Sequence, residues 1–119
     1  MLFLAFGKSN FQGIYSNMSL TPEQKKRFRT LGHSLNPIIM VANKGLSENI
    51  QLETDRALED HELIKVKFAV GDRTLKRQLI KELCTIVEAT LVQEIGNIAL
   101  IYRKSNKPNA KLSNLLRFQ

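Results

Sequence analysis

PIIMVANKGLSENI, residues 37–50, passes from an apolar run into a segment able to start a helix through the four residues Ala42-Asn43-Lys44-Gly45. Residues 37–41 are β-prone and continuously apolar, which predicts a short strand buried on both faces. Pro37 fits only at its beginning, where a missing N–H is tolerated. Ser47 is a suitable N-cap for a helix running to about Asp60, with Leu46, Ile50, Ala57 and Leu58 at apolar spacing. The connecting loop has two readings. It is a compact turn, or it is an anion contact in which Gly45 permits close approach, Asn43 donates from its amide and Lys44 adds charge beside the helix N-terminus. The tetrapeptide alone favours the turn.

Working outward, Thr21, Pro22 and Gln24 form a helix start with an N-cap, a proline at the first helical position and a capping-box partner. At helical spacing, Gln24, Phe28, Leu31 and Leu35 share one arc, while Lys25, Lys26, Arg29 and His33 lie roughly opposite. Gly32 and Asn36-Pro37 end this helix. ELIKVKFAV, residues 62–70, alternates so that Ile64, Val66 and Phe68 face one way and Leu63, Lys65, Lys67 and Ala69 the other, and the lysine side is expected to be wet. A third helix follows Gly71-Asp72, with Leu75, Leu79, Ile80, Leu83, Ile86 and Val87 as its apolar arc and Arg73, Arg77 and Lys81 as a basic ridge. Gly96-Asn97 then joins two short strands as a hairpin. The expected fold is α/β: a single compact domain ordered helix-strand-helix-strand-helix-strand-strand, with a four-stranded mixed sheet and packed helices.

Eighteen Lys and Arg against eleven Asp and Glu give a formal charge of +7. Residues 18–104 hold 14 basic and 11 acidic side chains, so the body is only mildly basic and the position of each charge matters more than the total. Residues 1–17 read as a disordered extension or an upstream start ahead of Met18, residues 18–104 as the domain, and residues 105–119 as a flexible basic tail whose LSNLLRF is able to dock. Cys84 is the only cysteine, which excludes an internal disulfide and suits a reducing cytoplasm. No apolar run reaches the ~18 residues of a membrane span.

Enzyme signals are poor. Phosphate-binding glycine fingerprints, metal-binding histidine pairs and nucleophile elbows are absent, and His33, His61 and Cys84 make a weak zinc set. No cofactor, small-molecule substrate or membrane partner is expected. Charge opposite a core arc is usually just solvated. Lys25, Lys26 and Arg29 nevertheless form a one-sign face, and with Lys44, Lys65, Lys67, Arg73 and Arg77 they favour a nucleic-acid partner.

LTPEQKKRFRTLGHSLNPIIMVANKGLSENI, followed by ALEDHELIKVKFA, DRTLKRQLI and IGNIALIYR, resembles the YhbY-like CRM domain family, named for chloroplast RNA splicing and ribosome maturation. The match runs from about Ser19 to Lys104. The resemblance implies a fold like the C-terminal domain of translation initiation factor three, a GxxG loop at Ala42 to Gly45, and RNA binding in precursors of the large ribosomal subunit. Ala42 departs from the first glycine of that loop. Alanine disfavours left-handed backbone and adds a methyl group where a phosphate would approach. The expected RNA contacts are Asn43, Lys44, Gly45, Lys25, Lys26 and Arg29, flanked by Lys65, Lys67, Arg73 and Arg77. With few aromatics, backbone and shape recognition is expected in place of extensive base stacking. A cytoplasmic monomer is expected. The alternative is a module that docks on a ribosomal protein, its charge only steering the encounter.

Overall fold

Local capping signals place the helices where the sequence puts them. The computed structural model describes residues 20–116, so the expectation for residues 1–17 lies outside the described residues. Helix α1 (Pro22–Gly32) opens on a complete capping box: the Gln24 N–H donates to Thr21 Oγ1 at 3.0 Å, and the Thr21 N–H donates to Gln24 Oε1 at 2.9 Å. Two otherwise unpaired donors are thereby satisfied. There follow β1 (Pro37–Val41), α2 (Glu48–His61), β2 (Leu63–Phe68), α3 (Arg73–Ile86), β3 (Thr90–Ile95) and β4 (Ile98–Tyr102). Asp72 Oδ1 caps α3 by accepting from the N–H groups of Thr74 and Leu75 at 2.8 and 3.1 Å. Gly96, at φ 58°, takes the left-handed conformation of the two-residue hairpin turn.

The strands form one mixed sheet in the order β1-β2-β4-β3. β1 and β2 run parallel with α2 as the crossover, and β4 is antiparallel to both of its neighbours. This order corrects one expectation. β1 is an edge strand: Ile39 and Val41 point into the core, whereas Ile38 is 51% and Met40 60% exposed. A continuous apolar run does not say how many layers cover it, and among the described residues the outer face of β1 is left largely exposed.

On one face of the sheet, α2 and α3 close a core that includes Val41, Leu58, Val66, Phe68 and Leu83. On the other, α1 presses Phe28 against Leu63, Val92 and Leu100, and its ring lies 4.7 Å from that of Tyr102. Gly32 does more than end the helix. A Cβ there would stand 2.7 Å from Leu100 Cδ2, so the missing side chain lets α1 sit on the sheet. Two residues of the expected α3 arc, Leu75 and Ile86, remain 38% and 47% exposed, because the arc is wider than the contact the sheet offers.

After Lys104 the chain docks at Ser105 and again at Ser113, Asn114 and Leu115, all buried, while residues 106–112 between them are exposed. The anchor is Glu62, 4% exposed at the end of α2, where φ is 65°. The Glu62 carboxylate accepts from the Ser105 N–H at 2.8 Å and from the Ser113 hydroxyl at 2.7 Å. Asn114 Nδ2 donates to the Leu63 carbonyl, Arg27 donates to that of Leu115 at 3.2 Å, and Leu115 joins the Phe28 cluster. These partners lie far away in sequence, which is why local composition read the segment as loose.

Ser113→Ala removes a donor from a buried carboxylate, and unfolding free energy should fall by about 1–3 kcal/mol, read from the urea midpoint at unchanged slope. A second prediction concerns acid. The Ser105 hydroxyl holds the Glu59 carboxyl below its ordinary value of 4.5, with the Asn106 N–H and Arg103 adding to it against the opposing effect of burial. A depressed folded-state value means that this stabilisation is present above 4.5 and lost as pH falls through the lowered value. Glu59→Gln should therefore reduce the stability lost between neutral pH and about pH 3, by a modest amount because the side chain is 38% exposed. Urea melts at the two pH values measure the difference.

Candidate nucleic-acid interface

Residues 42–45 form a turn closed by its own hydrogen bond, from the Gly45 N–H to the Ala42 carbonyl at 2.9 Å. Gly45 sits at φ 83°, where side chains are strained. Space is not the constraint, since a Cβ there would meet nothing closer than Leu79 Cδ2 at 3.9 Å. Ala42 needs no such freedom: Glu62 and Glu88 are the positive-φ residues other than glycine among those described. The alanine at the first loop position is thus compatible with the backbone, and its methyl group faces solvent. Gln51 Nε2 braces the loop by donating to the Leu46 carbonyl at 3.1 Å.

The start of α2 is partly occupied by its own groups. Ser47 Oγ accepts from the Ile50 N–H at 3.2 Å, and Glu48 places a carboxylate in the first turn. Attraction for an anion therefore rests on exposed Lys44 and Asn43 more than on the helix dipole.

Parallel pairing brings the ends of β1 and β2 to the same end of the sheet, and with them the 42–45 turn and the start of α3. Arg73 and Arg77 are exposed on α3, Arg73 in its first turn at this end and Arg77 on the side of the helix that faces the edge strand β3, away from Leu79 and Gly45. Lys76 Nζ donates to the Gly96 carbonyl at 2.8 Å and to Asn97 Oδ1 at 3.3 Å, fixing the β3–β4 turn at this end. Lys65 and Lys67 lie on the opposite face, the one α1 covers in part, with Lys67 exposed. On α1 itself Lys25 and Lys26 are exposed and Arg29 is half-buried. Of the expected residues, Asn43, Lys44, Gly45 and Arg73 gather at the loop end and Lys25, Lys26, Arg29, Lys65 and Lys67 on the α1 face, while Arg77 stands apart beside the β3 edge. Lys67, paired with Met40 in β1, stands where the groups approach each other.

None of these cations is ion-paired among the described residues. The ion pairs found there belong to Arg103, which binds Asp55 at 2.7 Å and Glu59 at 3.4 Å and ties β4 to α2. Exposed Met40 and Ile95 on the α1 face, and exposed Ile38 at the irregularity in β1, were not among the expected contacts.

Burial pushes the Cys84 thiol up to about 11 and so disfavours the nucleophilic thiolate. Among the described residues, no three of His, Cys, Asp and Glu gather as a metal site, and no helix is long and apolar enough to cross a membrane.

Comparison with known proteins places the chain among relatives named for RNA binding. A protein of Pseudomonas aeruginosa, named "Probable RNA-binding protein PA4753", is 54% identical over 85% of this chain and 97% of its own length. One of Haemophilus influenzae, named "RNA-binding protein", is 39% identical over 79% of this chain and 95% of its own. The solution structure of a Staphylococcus aureus protein, SAV1595, matches with a TM-score of 0.65 and 36% identity, covering 74% of this chain and 92% of that one. The model of the CRS1/YhbY (CRM) domain matches residues 20–103, and the chain belongs to that family.

Proposed function

We propose that this chain is a non-enzymatic RNA-binding protein that acts as a cytoplasmic monomer on rRNA in precursors of the large ribosomal subunit. The observation that carries the reading is the set of exposed cations on two adjoining surfaces, with no carboxylate paired to them among the described residues. Surface cations that are not neutralised internally are available to phosphates, whose contacts supply most sequence-independent affinity. The names of the relatives support the same partner. In this reading the turn Asn43 to Gly45 and the α1 face Lys25, Lys26 and Arg29 grip the backbone, with Lys65, Lys67, Arg73 and Arg77 as flanking contacts.

A protein-docking reading finds support in one feature, a groove of about 430 Å³ between α3 and the edge strand β3, lined by Arg77, Ile80, Lys81, Cys84 and Leu91 among others. Nuclease treatment of chain-bound ribosomal particles separates the two. Release with the digested RNA is expected, whereas retention on the remaining proteins favours docking. In-cell crosslinking with sequencing of the bound RNA should place the contacts in large-subunit rRNA.

Reversing charge at Lys25, Lys26 and Arg29 to glutamate should weaken RNA binding and lower the slope of log affinity against log salt by about 2. An unchanged slope removes α1 from the interface. Gly45→Ala should cost about 1–2 kcal/mol of stability through its left-handed backbone and weaken RNA binding. Ala42→Gly should preserve or improve that binding. Urea unfolding and filter binding at fixed salt measure both loop variants.

A further inference from the structure

The strand registers align one row of side chains across all four strands. Met40 pairs with Lys67, Lys67 with Ile98, and Ile98 with Ile95. Directly paired residues project from the same face of a sheet, so the four stand side by side on the face that α1 covers in part. Met40 is 60% and Ile95 61% exposed. Beside the row, toward the end of α1, lies a depression of about 150 Å³ with Leu100 and Ile98 among its apolar lining and Gln93, His33 and Lys65 as its polar groups. It is smaller than the ~300–1,000 Å³ of pockets that hold drug-sized ligands, and suits a single flat group.

Large aliphatic side chains exposed in a row mark an interaction surface. Charge selects the occupant. The row and the next one inward, Lys65, Leu100 and Gln93, contain two lysines and no acid. A second copy of the same face would oppose lysine to lysine, whereas an unpaired RNA strand offers phosphates to Lys65 and Lys67 and flat bases to the aliphatic row. We propose that this face binds unpaired nucleotides, with bases packed on Met40, Ile98 and Ile95, one base seated in the depression beside Gln93, and phosphates held by Lys65 and Lys67. The inference rests on the RNA-binding reading and adds to it the kind of RNA: single-stranded segments beside the backbone grip of the loop and α1.

The test uses the full chain and its Met40→Ser/Ile95→Ser variant, both changes being at exposed positions. Binding is measured at fixed salt to a single-stranded oligouridylate of about twelve nucleotides, to an abasic strand of the same length, and to an RNA duplex. The variant should lose about three- to tenfold in affinity for oligouridylate and keep its affinity for the abasic strand and the duplex. Equal loss on all three RNAs, or no loss on any, overturns the proposal. A fall in urea midpoint without an RNA effect assigns the row to packing within the chain, and loss of self-association or of binding to a partner protein without an RNA effect assigns it to that partner. Each of these also overturns it. If the wild-type chain binds none of the three RNAs, the RNA-binding reading fails first and this inference with it. Wild-type binding to duplex but not to oligouridylate removes this inference alone.

Discussion

One helix cannot cover a four-stranded sheet, and most of what distinguishes the two surfaces of this protein follows from that limit. A strand of six residues, such as β2, is about 20 Å long, while a helix laid across it masks a band of only ~10 Å. On one face α2 and α3 together close the core. On the other α1, seated on Leu100 through Gly32, is joined only by Leu115 of the C-terminal segment among the described residues, and Met40 and Ile95 beyond them stay exposed. β2 records the boundary residue by residue: Leu63 is fully buried beneath the α1 layer, Lys65 is half-buried and Lys67 is exposed.

The same limit separates what the sequence discloses from what it withholds. The capping box at Thr21 and Gln24, the Asp72 cap and the Gly96-Asn97 turn are made by residues within a few positions of one another, so their chemistry is readable in order. The exposure of Ile38 and Met40 depends on strand order, which is a property of the whole sheet. The docking of residues 105–116 depends on Glu62, more than forty residues earlier. The cations of the candidate site were legible singly, as charges off an apolar arc. Their division between the loop end and the α1 face was not, because it requires knowing on which side of the sheet each element lies. Met40 and Ile95 were missed for a related reason: apolar residues in a strand are assumed buried until a neighbouring layer proves missing.

The loop illustrates how backbone conformation refines a motif. Its last glycine is required by a φ of 83°, while its first position is occupied without strain by alanine. Two positions that look equivalent in a glycine pattern thus carry different constraints. The turn is held by one hydrogen bond of its own and braced by Gln51, so its shape does not depend on a ligand being present. A preformed loop loses little conformational freedom on binding, which leaves more of each contact as net affinity.

The clasp on Glu62 also bears on the timing of folding. Leu115 and Phe28 belong to one cluster, and Arg27 of α1 donates to the Leu115 carbonyl. During synthesis α1 emerges before the sheet it rests on, and the segment that completes its seat emerges after every strand. The helical layer of α2 and α3 is able to close on the sheet earlier, so α1 is made before every described strand and secured after them.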